Sequence, residues 1–360
     1  MQDIIEKYRA VIVQIATPFN TGTGFIINDE QLVVTNFHVV EDCQEVAVEG
    51  LLLGRQLMRV VYVDRKYDLA FLSLDKSLPS FPAVQFRESK TVRVKDSVIA
   101  LGHPFGLQFS AKTGYISNCR EMINGVPYLH IDIGLNPGNS GGPLIDEEGF
   151  VVGINTFVMR DSDSMGFALP SELLIQAMHA FKEAGGKDAA RCTGCSNTVT
   201  EATCEEDSCT VCGAKVQLPS KSVIYKAQGV AGTVERLIER LGYLAALSRC
   251  GPNAWEIRKG SAKIAITYHE KSGLISADAV LCQLPERHIK RLYEYLLREN
   301  YSNNGMTLSV YEQDILLSLL IYDRYLDEET GSVLFNQLFE RADYYDNVLV
   351  EQFDALWKTE

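Results

Sequence analysis

Short apolar runs, separated by clusters of Asn, Asp, Gly and Pro, make up most of the first half of the chain. Such runs predict β-strands, and six short strands in succession suggest a barrel. The first series of predicted strands covers residues 9–16, 23–27, 31–35, 45–48, 59–63 and 69–74. A second series covers residues 97–101, 111–117, 128–133, 143–146, 151–156 and 166–168.

Helical patterns flank this β-rich region. Residues 1–8 suit a short helix or an extended arm. After Pro170, apolar side chains recur at helical spacing, and Gly185 with Gly186 ends the predicted helix. We therefore place the first domain boundary after residue 186. The recurring apolar residues are Leu173, Leu174, Ala177, Met178 and Phe181.

From residue 220 onward the pattern changes to mixed α/β. The predicted order is helix, three strands, helix, two strands, helix. The helices are predicted at 229–247, 285–299 and 328–357, and the strands at 254–258, 262–269, 274–282, 306–311 and 315–322. No nucleophile with a neighbouring base stands out in this region of the sequence.

Ser140 lies in a stretch with glycines at 138, 141 and 142. Small neighbours allow a tight turn that aims backbone N–H groups at the carbonyl that a serine hydroxyl attacks. This is the geometry of an oxyanion hole, with Gly138 and Ser140 as donors. A glycine-rich hairpin turn explains the stretch equally well when it is taken alone.

A base and an acid decide between these two interpretations, and both occur upstream. His38 ends a run that should be a strand, and Asp68 leads into another. A serine becomes nucleophilic when an imidazole takes its proton, while a carboxylate fixes the imidazole tautomer and steadies its charged form. His38, Asp68 and Ser140 can fill these three roles.

Several short motifs occur in the order and spacing typical of one family. They are TGTGFII (21–27), TNFHVV (35–40), DLA (68–70), IALGHPFGL (99–107), NPGNSGGPL (136–144) and GFALPS (166–171). Over about residues 8–184 the chain resembles the trypsin-like serine proteases of the Deg/HtrA kind. This resemblance implies an all-β, chymotrypsin-like double barrel. It also implies a catalytic triad of His38, Asp68 and Ser140 in the cleft between the barrels, and an oxyanion hole at Gly138, Asn139 and Ser140.

By the same resemblance, the S1 pocket lies between the segment before the serine and two later strands. The expected substrate-binding residues are Ile133, Gly134, Leu135, Asn155, Thr156, Gly166, Phe167 and Ala168. None of them is acidic, which favours small or medium apolar P1 side chains. Asn139 stands where digestive trypsin relatives carry Asp, so activation by N-terminal cleavage is not expected.

Two Cys-x-x-Cys pairs follow, Cys192 with Cys195 and Cys209 with Cys212. Two such knuckles can wrap four thiolates around one tetrahedral zinc ion, and their spacing resembles a zinc ribbon. A thioredoxin-like redox role usually needs only one pair in a βαβ context, which is absent. We expect a structural zinc in a small domain of residues 187–219, and Cys204 remains open as an extra or substitute ligand.

Residues 220–360 are similar in element order to the YbjN and type III secretion chaperone-like domains, without a signature motif. This resemblance implies an α+β domain that dimerises or holds another polypeptide. We expect it to regulate or target the protease through a protein partner or through self-assembly. Its many aromatic residues are most simply core packing, and a groove for a partner chain is the less favoured alternative.

The net charge of −13 and the lack of a Lys/Arg cluster argue against nucleic-acid or anionic-membrane binding. No apolar run approaches the ~20 residues that cross a bilayer, and the first nine residues lack a signal-peptide core. Nine cysteines, an odd number, fit metal ligation in a reducing compartment better than a disulfide framework. These features predict a cytoplasmic protein.

The leading hypothesis is therefore a serine endopeptidase acting on protein or peptide substrates. The alternative is a catalytically silent scaffold, or partner-binding protein, that keeps the protease fold. All three triad residues and the oxyanion glycines are present, which favours the enzyme.

Overall fold

The computed structural model describes residues 2–78, 80–103, 109–158, 165–259, 262–303 and 305–357. The chain divides into two units, Met1–Tyr225 and Lys226–Glu360. One part of the motif at 99–107, from Pro104 to Leu107, lies outside the described residues.

The first series of strands forms a closed antiparallel barrel. Its strands are β1 (Ile12–Ala16), β2 (Thr21–Ile27), β3 (Leu32–Thr35), β4 (Glu45–Gly50), β5 (Gly54–Asp64) and β6 (Leu69–Ser73). The order is β5-β4-β1-β2-β3-β6, and pairing of β5 with β6 closes the barrel. Ile15, Phe25, Val33 and Phe71 are fully buried in its core, so the apolar runs of the sequence supply the barrel interior.

The second series forms another closed antiparallel barrel. Its strands are β7 (Ser97–Gly102), β8 (Ser110–Ile123), β9 (Val126–Ile131), β10 (Pro143–Asp146), β11 (Val151–Val158) and β12 (Gly166–Pro170). They follow the order β10-β11-β12-β9-β8-β7. Val98, Leu129, Leu144 and Val152 are fully buried in this core. The prediction of two six-stranded barrels is confirmed.

Among its described residues, the first unit has three α-helices: α1 (Gln2–Arg9), the single-turn α2 (Phe37–Val40) and α3 (Ser171–Glu183). Helix α3 follows the last strand of the second barrel, yet it also packs on the first barrel. The ring of Phe181 lies 5.5 Å from that of Tyr62 and 5.7 Å from that of Phe71. The apolar stripe of α3 therefore joins the two barrels.

The cysteine-rich segment adds strands to the first unit. They are β13 (Ala189–Arg191), β14 (Thr198–Thr200), β15 (Cys204–Glu205) and β16 (Ser208–Cys209). Strand β13 pairs in parallel with β5 and antiparallel with β14. Ala189 and Ala190 are almost fully buried, because their small side chains allow close approach. The segment predicted as a separate domain thus extends the sheet of the first barrel.

The second unit is a six-stranded antiparallel sheet with helices. Its strands are β17 (Arg249–Gly251), β18 (Ala254–Lys259), β19 (Ala262–His269), β20 (Leu274–Gln283), β21 (Met306–Tyr311) and β22 (Asp314–Tyr322). Its helices are α4 (Gly229–Arg240), α5 (Ala245–Ser248), α6 (Ile289–Ser302) and α7 (Glu328–Phe353). The strand order is β17-β18-β19-β20-β22-β21. The sheet and helices of this unit form the α+β arrangement that the sequence predicts. The likeness to YbjN and secretion-chaperone domains stays a prediction.

Two local features of this unit differ from the sequence prediction. The helix predicted to reach residue 247 ends at Arg240, since Gly242 adopts a φ of 88° that a helix does not allow. Tyr301, Tyr311 and Tyr325 are exposed rather than packed in the core. Across the part of the chain that the structure describes, no helix is both long enough and apolar enough to cross a bilayer.

Candidate active site

His38 and Asp68 meet at one edge of the first barrel. Strand β3 ends at Thr35, and the single turn of α2 then carries His38. Asp68 precedes β6 with a φ of 53°, a left-handed conformation that Asp tolerates better than most residues. Nδ1 of His38 lies 2.7 Å from Oδ2 of Asp68, and the backbone N–H of His38 donates to Oδ1 at 2.9 Å. The carboxylate thus contacts both the ring and the backbone of the histidine.

The residues before His38 fix the backbone of Asp68. Nδ2 of Asn36 donates to the carbonyl oxygen of Asp68 at 2.8 Å, and the N–H of Phe37 donates to the same oxygen at 3.2 Å. These contacts hold the carboxylate where it accepts the Nδ1 proton of His38. In that tautomer Nε2 is free to accept a proton.

The pKa of His38 reflects opposing effects of burial and charge. Burial lowers it, whereas the hydrogen bond to Asp68 and the negative charges of Asp68 and Glu41 raise it. The pKa lies above its ordinary value as a result. The charged imidazolium is therefore stabilised at this position, as a general base requires after it takes a proton.

A tight turn leads into Ser140. The N–H of Asn139 donates to the carbonyl oxygen of Asn136 at 3.0 Å, and Gly138 has a φ of 99°. Pro137 followed by a residue with positive φ is typical of a type II turn. Gly141 is required for packing, because a Cβ there would lie 2.1 Å from the carbonyl oxygen of Thr23.

The backbone N–H groups of this loop fall into two sets. Those of Asn139, Gly141 and Gly142 donate to backbone carbonyls at 2.8–3.1 Å. No acceptor contacts the N–H of Gly138 or Ser140 within the residues that the structure describes. Two backbone donors that remain available on one turn are what an oxyanion hole needs. Asn139, also predicted for this hole, directs its N–H to Asn136.

The serine loop lies against the segment that carries His38. A Cβ on Gly22 would meet Cγ2 of Val39 at 2.5 Å and the carbonyl oxygen of Ser140 at 3.2 Å. A Cβ on Gly141 would lie 3.0 Å from the backbone nitrogen of Asn36. The glycines of both motifs therefore let the two barrels approach closely at the site.

The hydroxyl of Ser140 donates to the carbonyl oxygen of Thr156 at 2.9 Å. Within the described ranges of the chain, no hydrogen bond joins this hydroxyl to His38. The structure thus brings the three residues predicted for the triad to one region and pairs two of them, His38 and Asp68, directly. In the absence of substrate, catalytic hydrogen bonds are often long or poorly aligned.

The structure brings the predicted S1 segments together. A Cβ on Gly166 would meet the carbonyl oxygen of Ile133 at 2.8 Å and Cγ of Leu135 at 3.0 Å. Lys112, which the sequence analysis did not select, donates to the carbonyl oxygen of Gly134 at 2.7 Å.

Other predicted S1 residues serve as packing. Ala168 is fully buried in the second barrel, and Phe167 stacks on His130 with ring centres 5.0 Å apart. Asn155 donates to the carbonyls of Leu101 and Pro143 at 3.3 Å. The amide of Asn155 therefore supports the strands around the serine loop.

A cleft of about 430 Å³ adjoins Asp68. It is open to solvent and combines basic, apolar and aromatic side chains. Its lining residues are Arg65, Lys66, Asp68, Ile123, Asn124, Val126, Tyr128 and Thr156.

The four cysteines of the two pairs converge. Their sulfur atoms all lie within 4.8 Å of one another, with Cys192 and Cys212 3.5 Å apart and Cys195 and Cys209 3.7 Å apart. A tetrahedral zinc with Zn–S bonds of about 2.3 Å needs sulfurs roughly 3.8 Å apart. Cys204 lies opposite Cys209 in the strand register of the β15–β16 hairpin, and its sulfur atom is outside this four-sulfur cluster.

The backbone around the cysteines also suits a metal. Burial raises the pKa of the Cys192 thiol, but the N–H groups of Gly194 and Cys195 donate to its sulfur and bring the pKa down to about 7. A Cβ on Gly194 would come within 3.1 Å of the sulfur of Cys212. The residues present therefore fit four-thiolate ligation of a zinc ion.

Comparison with known proteins supports a serine protease. Residues 22–154 match the family model of the trypsin-like peptidase domain. The chain is 35% identical over 172 residues to a probable periplasmic serine endoprotease, DegP-like, of Hahella chejuensis, with 46% of this chain and 36% of the relative covered. The prediction of a serine protease, a hydrolase with a trypsin-like domain, is confirmed for this part of the chain.

Two further relatives have similar coverage. A protein of the same description from Chlamydia trachomatis is 37% identical over 157 residues, with 42% of this chain and 31% of the relative covered. Serine protease HTRA4 of Mus musculus is 34% identical over 173 residues, with shares of 46% and 35%. The chain thus spans about a third of the length of these relatives. The solved HtrA-type protease AlgW with decapeptide aligns at 25% identity with a TM-score of 0.47, covering 51% of this chain and 68% of that one.

The predicted cytoplasmic location is wrong by these comparisons, since the relatives from Hahella and Chlamydia are named as periplasmic. That prediction used the cysteine count and the charges of the first nine residues. Four of the nine cysteines converge on one cluster. Cysteines that serve as metal ligands do not report on the redox state of a compartment.

Proposed function

We propose that this protein is a serine endopeptidase that cleaves polypeptides through His38, Asp68 and Ser140. His38 takes the proton of the Ser140 hydroxyl as its oxygen attacks the scissile carbonyl carbon. The N–H groups of Gly138 and Ser140 then bind the developing oxyanion. The observation that carries this proposal is the 2.7 Å contact between Nδ1 of His38 and Asp68, beside a turn with two available backbone donors.

The hydrogen bond from Ser140 to Thr156 defines a resting arrangement. Rotation of the Ser140 side chain toward Nε2 of His38 starts the reaction once substrate is bound. The same hydrogen bond supports a second candidate function, a catalytically silent scaffold that uses the protease fold to bind polypeptides. The two candidates differ in whether the hydroxyl can react at all.

Labelling with a fluorophosphonate tests reactivity directly, because this probe needs a nucleophilic serine next to an oxyanion hole. We expect stoichiometric labelling of the wild-type chain and of Ser117→Ala, which removes an exposed hydroxyl on β8. Ser140→Ala should show none, and His38→Ala should label at least ~10³-fold more slowly. Casein cleavage that persists in pure Ser140→Ala protein would contradict the proposal, and an unlabelled, inactive but folded wild type would favour the scaffold.

The preference at P1 is for small or medium apolar side chains. The segments at 133–135 and 166–168 approach closely, and none of the residues predicted for the pocket is acidic. One methylene in such a pocket changes transition-state binding by only about 1–3 kcal/mol, so selectivity among apolar residues should be modest. A peptide series that varies P1 over Ala, Val, Leu, Lys and Asp tests this preference, and fastest cleavage after Lys would overturn it.

A structural zinc ion held by Cys192, Cys195, Cys209 and Cys212 is the second part of the proposal. With four protein ligands the metal has no open position, so its role is to hold the segment folded. This segment has little core of its own, and metal ligation would supply the missing stability.

The second unit acts as the regulatory or targeting part, through a protein partner or self-assembly. Its exposed Tyr301, Tyr311 and Tyr325 support this role, because tyrosine is enriched in protein interfaces. Sedimentation of the full chain over a range of concentrations, with the labelling rate measured in parallel, tests self-assembly. A partner is tested by adding extract from the native cell. A labelling rate that neither concentration nor extract changes would contradict regulation.

The names of the two bacterial relatives also support a periplasmic setting for this protease. Fractionation of cells that produce the full-length protein, followed by blotting for the chain, tests the location. Recovery only with cytoplasmic markers would contradict it.

A further inference from the structure

The four-cysteine segment reaches the loop that carries the catalytic acid. Strand β13 lies parallel to β5, and its last residue, Arg191, directly precedes the first metal ligand, Cys192. Strand β5 ends at Asp64, where the loop to Asp68 begins. The end of β13 therefore lies beside the start of this loop.

Asp64 shapes the loop from inside. Its side chain is fully buried, and Oδ1 accepts the backbone N–H groups of Lys66 and Tyr67 at 3.0 Å each. Burial raises the pKa of Asp64, while these two hydrogen bonds and the charges of Arg191 and Lys66 oppose that rise. The turn that leads into Asp68 thus depends on a buried carboxylate that needs its partners.

Arg191 is the cationic partner that the cysteine segment supplies. Its Nε lies 3.7 Å from Oδ2 of Asp64, and its side chain is only 16% exposed. The guanidinium also lies over the ring of Tyr67, 4.6 Å from the ring centre. One side chain therefore contacts both ends of the turn before Asp68.

A second contact joins the same two regions. Nη2 of Arg65 donates to Oε1 of Gln217 at 3.3 Å. Gln217 lies in the cysteine segment, after its last cysteine, Cys212. Nη1 of Arg65 contacts Glu41 at 3.0 Å, and its guanidinium lies 4.5 Å from the ring centre of Phe37. Phe37 is the neighbour of His38. Phe37, which precedes His38, thus contacts Arg65, and Tyr67, which precedes Asp68, contacts Arg191. Arg191 belongs to the cysteine segment, and Arg65 is bonded to it through Gln217.

We propose that the metal-loaded cysteine segment clamps residues 64–68 and so positions Asp68 against His38, with Arg191 as the positioning residue. This inference rests on the proposed endopeptidase function. When the metal is lost, Arg191 is no longer held beside Asp64, the turn loosens and the carboxylate withdraws from the imidazole. The twelve barrel strands keep their pairing, because all four metal ligands lie outside them.

The first test compares full-length, zinc-loaded Arg191→Ala and Arg191→Lys with Lys187→Ala, an exposed basic residue of the same segment. We expect Arg191→Ala to keep its metal and its far-UV spectrum while kcat falls by about 10²-fold, the usual loss for a small misplacement of a catalytic group. KM should change little, since the segments predicted for the S1 pocket, at 133–135 and 166–168, are untouched. Arg191→Lys should recover part of the loss, and Lys187→Ala should match the wild type.

The pH profile separates positioning from general damage. Asp68 and Glu41 both raise the pKa of His38, so withdrawal of Asp68 should move the acid limb of kcat/KM to lower pH. Arg191→Ala with wild-type kcat and an unmoved acid limb would overturn the clamp.

The second test removes the metal from the wild-type chain with a chelator and then restores zinc. The rate of fluorophosphonate labelling should fall and recover, together with the low-field proton NMR signal of the His38 Nδ1–H. An unchanged signal in the metal-free protein refutes the clamp even if Arg191→Ala fails to fold. A signal that responds to zinc in a chain that is never labelled supports the clamp and refutes the endopeptidase instead.

Discussion

The hydroxyl of Thr23, on a strand of the first barrel, donates to the carbonyl oxygen of Gly138 in the second barrel at 2.6 Å. The same hydroxyl accepts the N–H of His103 at 2.8 Å, and the N–H of Thr23 donates to the carbonyl of Ser140 at 2.8 Å. One buried threonine therefore connects β2 to both sides of the proposed oxyanion turn. The orientation of the Gly138 peptide is thus coupled to the fit between the barrels.

Thr23→Val should lower both stability and turnover. The substitution keeps the shape but removes the hydroxyl that hydrogen-bonds to the carbonyl of Gly138 and to the N–H of His103, and the loss of a buried hydrogen-bond partner costs about 1–3 kcal/mol. Thr23→Ser keeps both hydrogen bonds and is the matched control. Urea unfolding and peptide-cleavage kinetics measure the two effects. Equal behaviour of the Val and Ser variants would show that the hydroxyl does not hold the turn.

Gly141→Ala should be far more damaging than Gly125→Ala. Both glycines have positive φ, 88° and 78°, so both variants incur about 1–2 kcal/mol of left-handed backbone strain. A Cβ on Gly125 has nothing within 4 Å, whereas one on Gly141 would lie 2.1 Å from the carbonyl oxygen of Thr23. The difference between their melting temperatures isolates the contact. Equal melting temperatures would contradict the close packing of the serine loop.

The His38–Asp68 pair should give a pH-dependent stability. The pKa of His38 is raised in the folded state, so its contribution is fully present below the unfolded value of about 6.5. That contribution is lost as the pH rises through the folded pKa. Urea unfolding should therefore show a larger gap between the wild type and Asp68→Asn at pH 5.5 than at pH 9. A gap of the same size at both pH values would rule out the linkage.

In cleavage assays, Asp68→Asn should reduce kcat by about 10⁴-fold, because the wrong imidazole tautomer then faces Ser140. Wild-type turnover in this variant would remove Asp68 from the mechanism.

The purified chain should carry one zinc ion, and Cys212→Ser should lose it. Cys212 belongs to the four-sulfur cluster, whereas Cys204 lies outside it, so Cys204→Ser is the control and should retain the metal. Elemental analysis of protein prepared without chelator measures the stoichiometry. Metal loss on replacing Cys204, or an iron–sulfur absorption spectrum, would contradict the assignment.

The strands could be predicted from the sequence because each barrel strand is a short apolar run bounded by turn residues. The candidate site could be predicted only where its residues are close in sequence: Gly138 and Ser140 belong to one turn, and His38 follows the end of β3. The burial of individual polar residues could not be predicted from the sequence. Asp64 has the pattern of an ordinary turn-forming Asp at a strand end, and nothing local indicates that Arg191 lies beside it.

The role of Thr23 could not be predicted from the sequence for a similar reason. Its position between two glycines indicates close packing, but its hydrogen-bond partners lie in the other barrel. The exposure of three tyrosines in the second unit could not be predicted either. Tyr301 lies on α6, Tyr311 ends β21 and Tyr325 lies just after β22, and their exposure depends on which neighbouring elements cover them in the folded unit.

Strand β13 pairs with a strand of the first barrel, yet it follows the whole second barrel in the sequence. Pairing of β13 with β5 closes a chain segment that contains the whole second barrel, and closure over so long a segment is slow compared with local pairing. We therefore expect the local hairpins of both barrels to form before Arg191 reaches Asp64. With the proposed clamp, Asp68 would be positioned against His38 only in the last step of folding, so that cleavage would begin only when the first unit is complete.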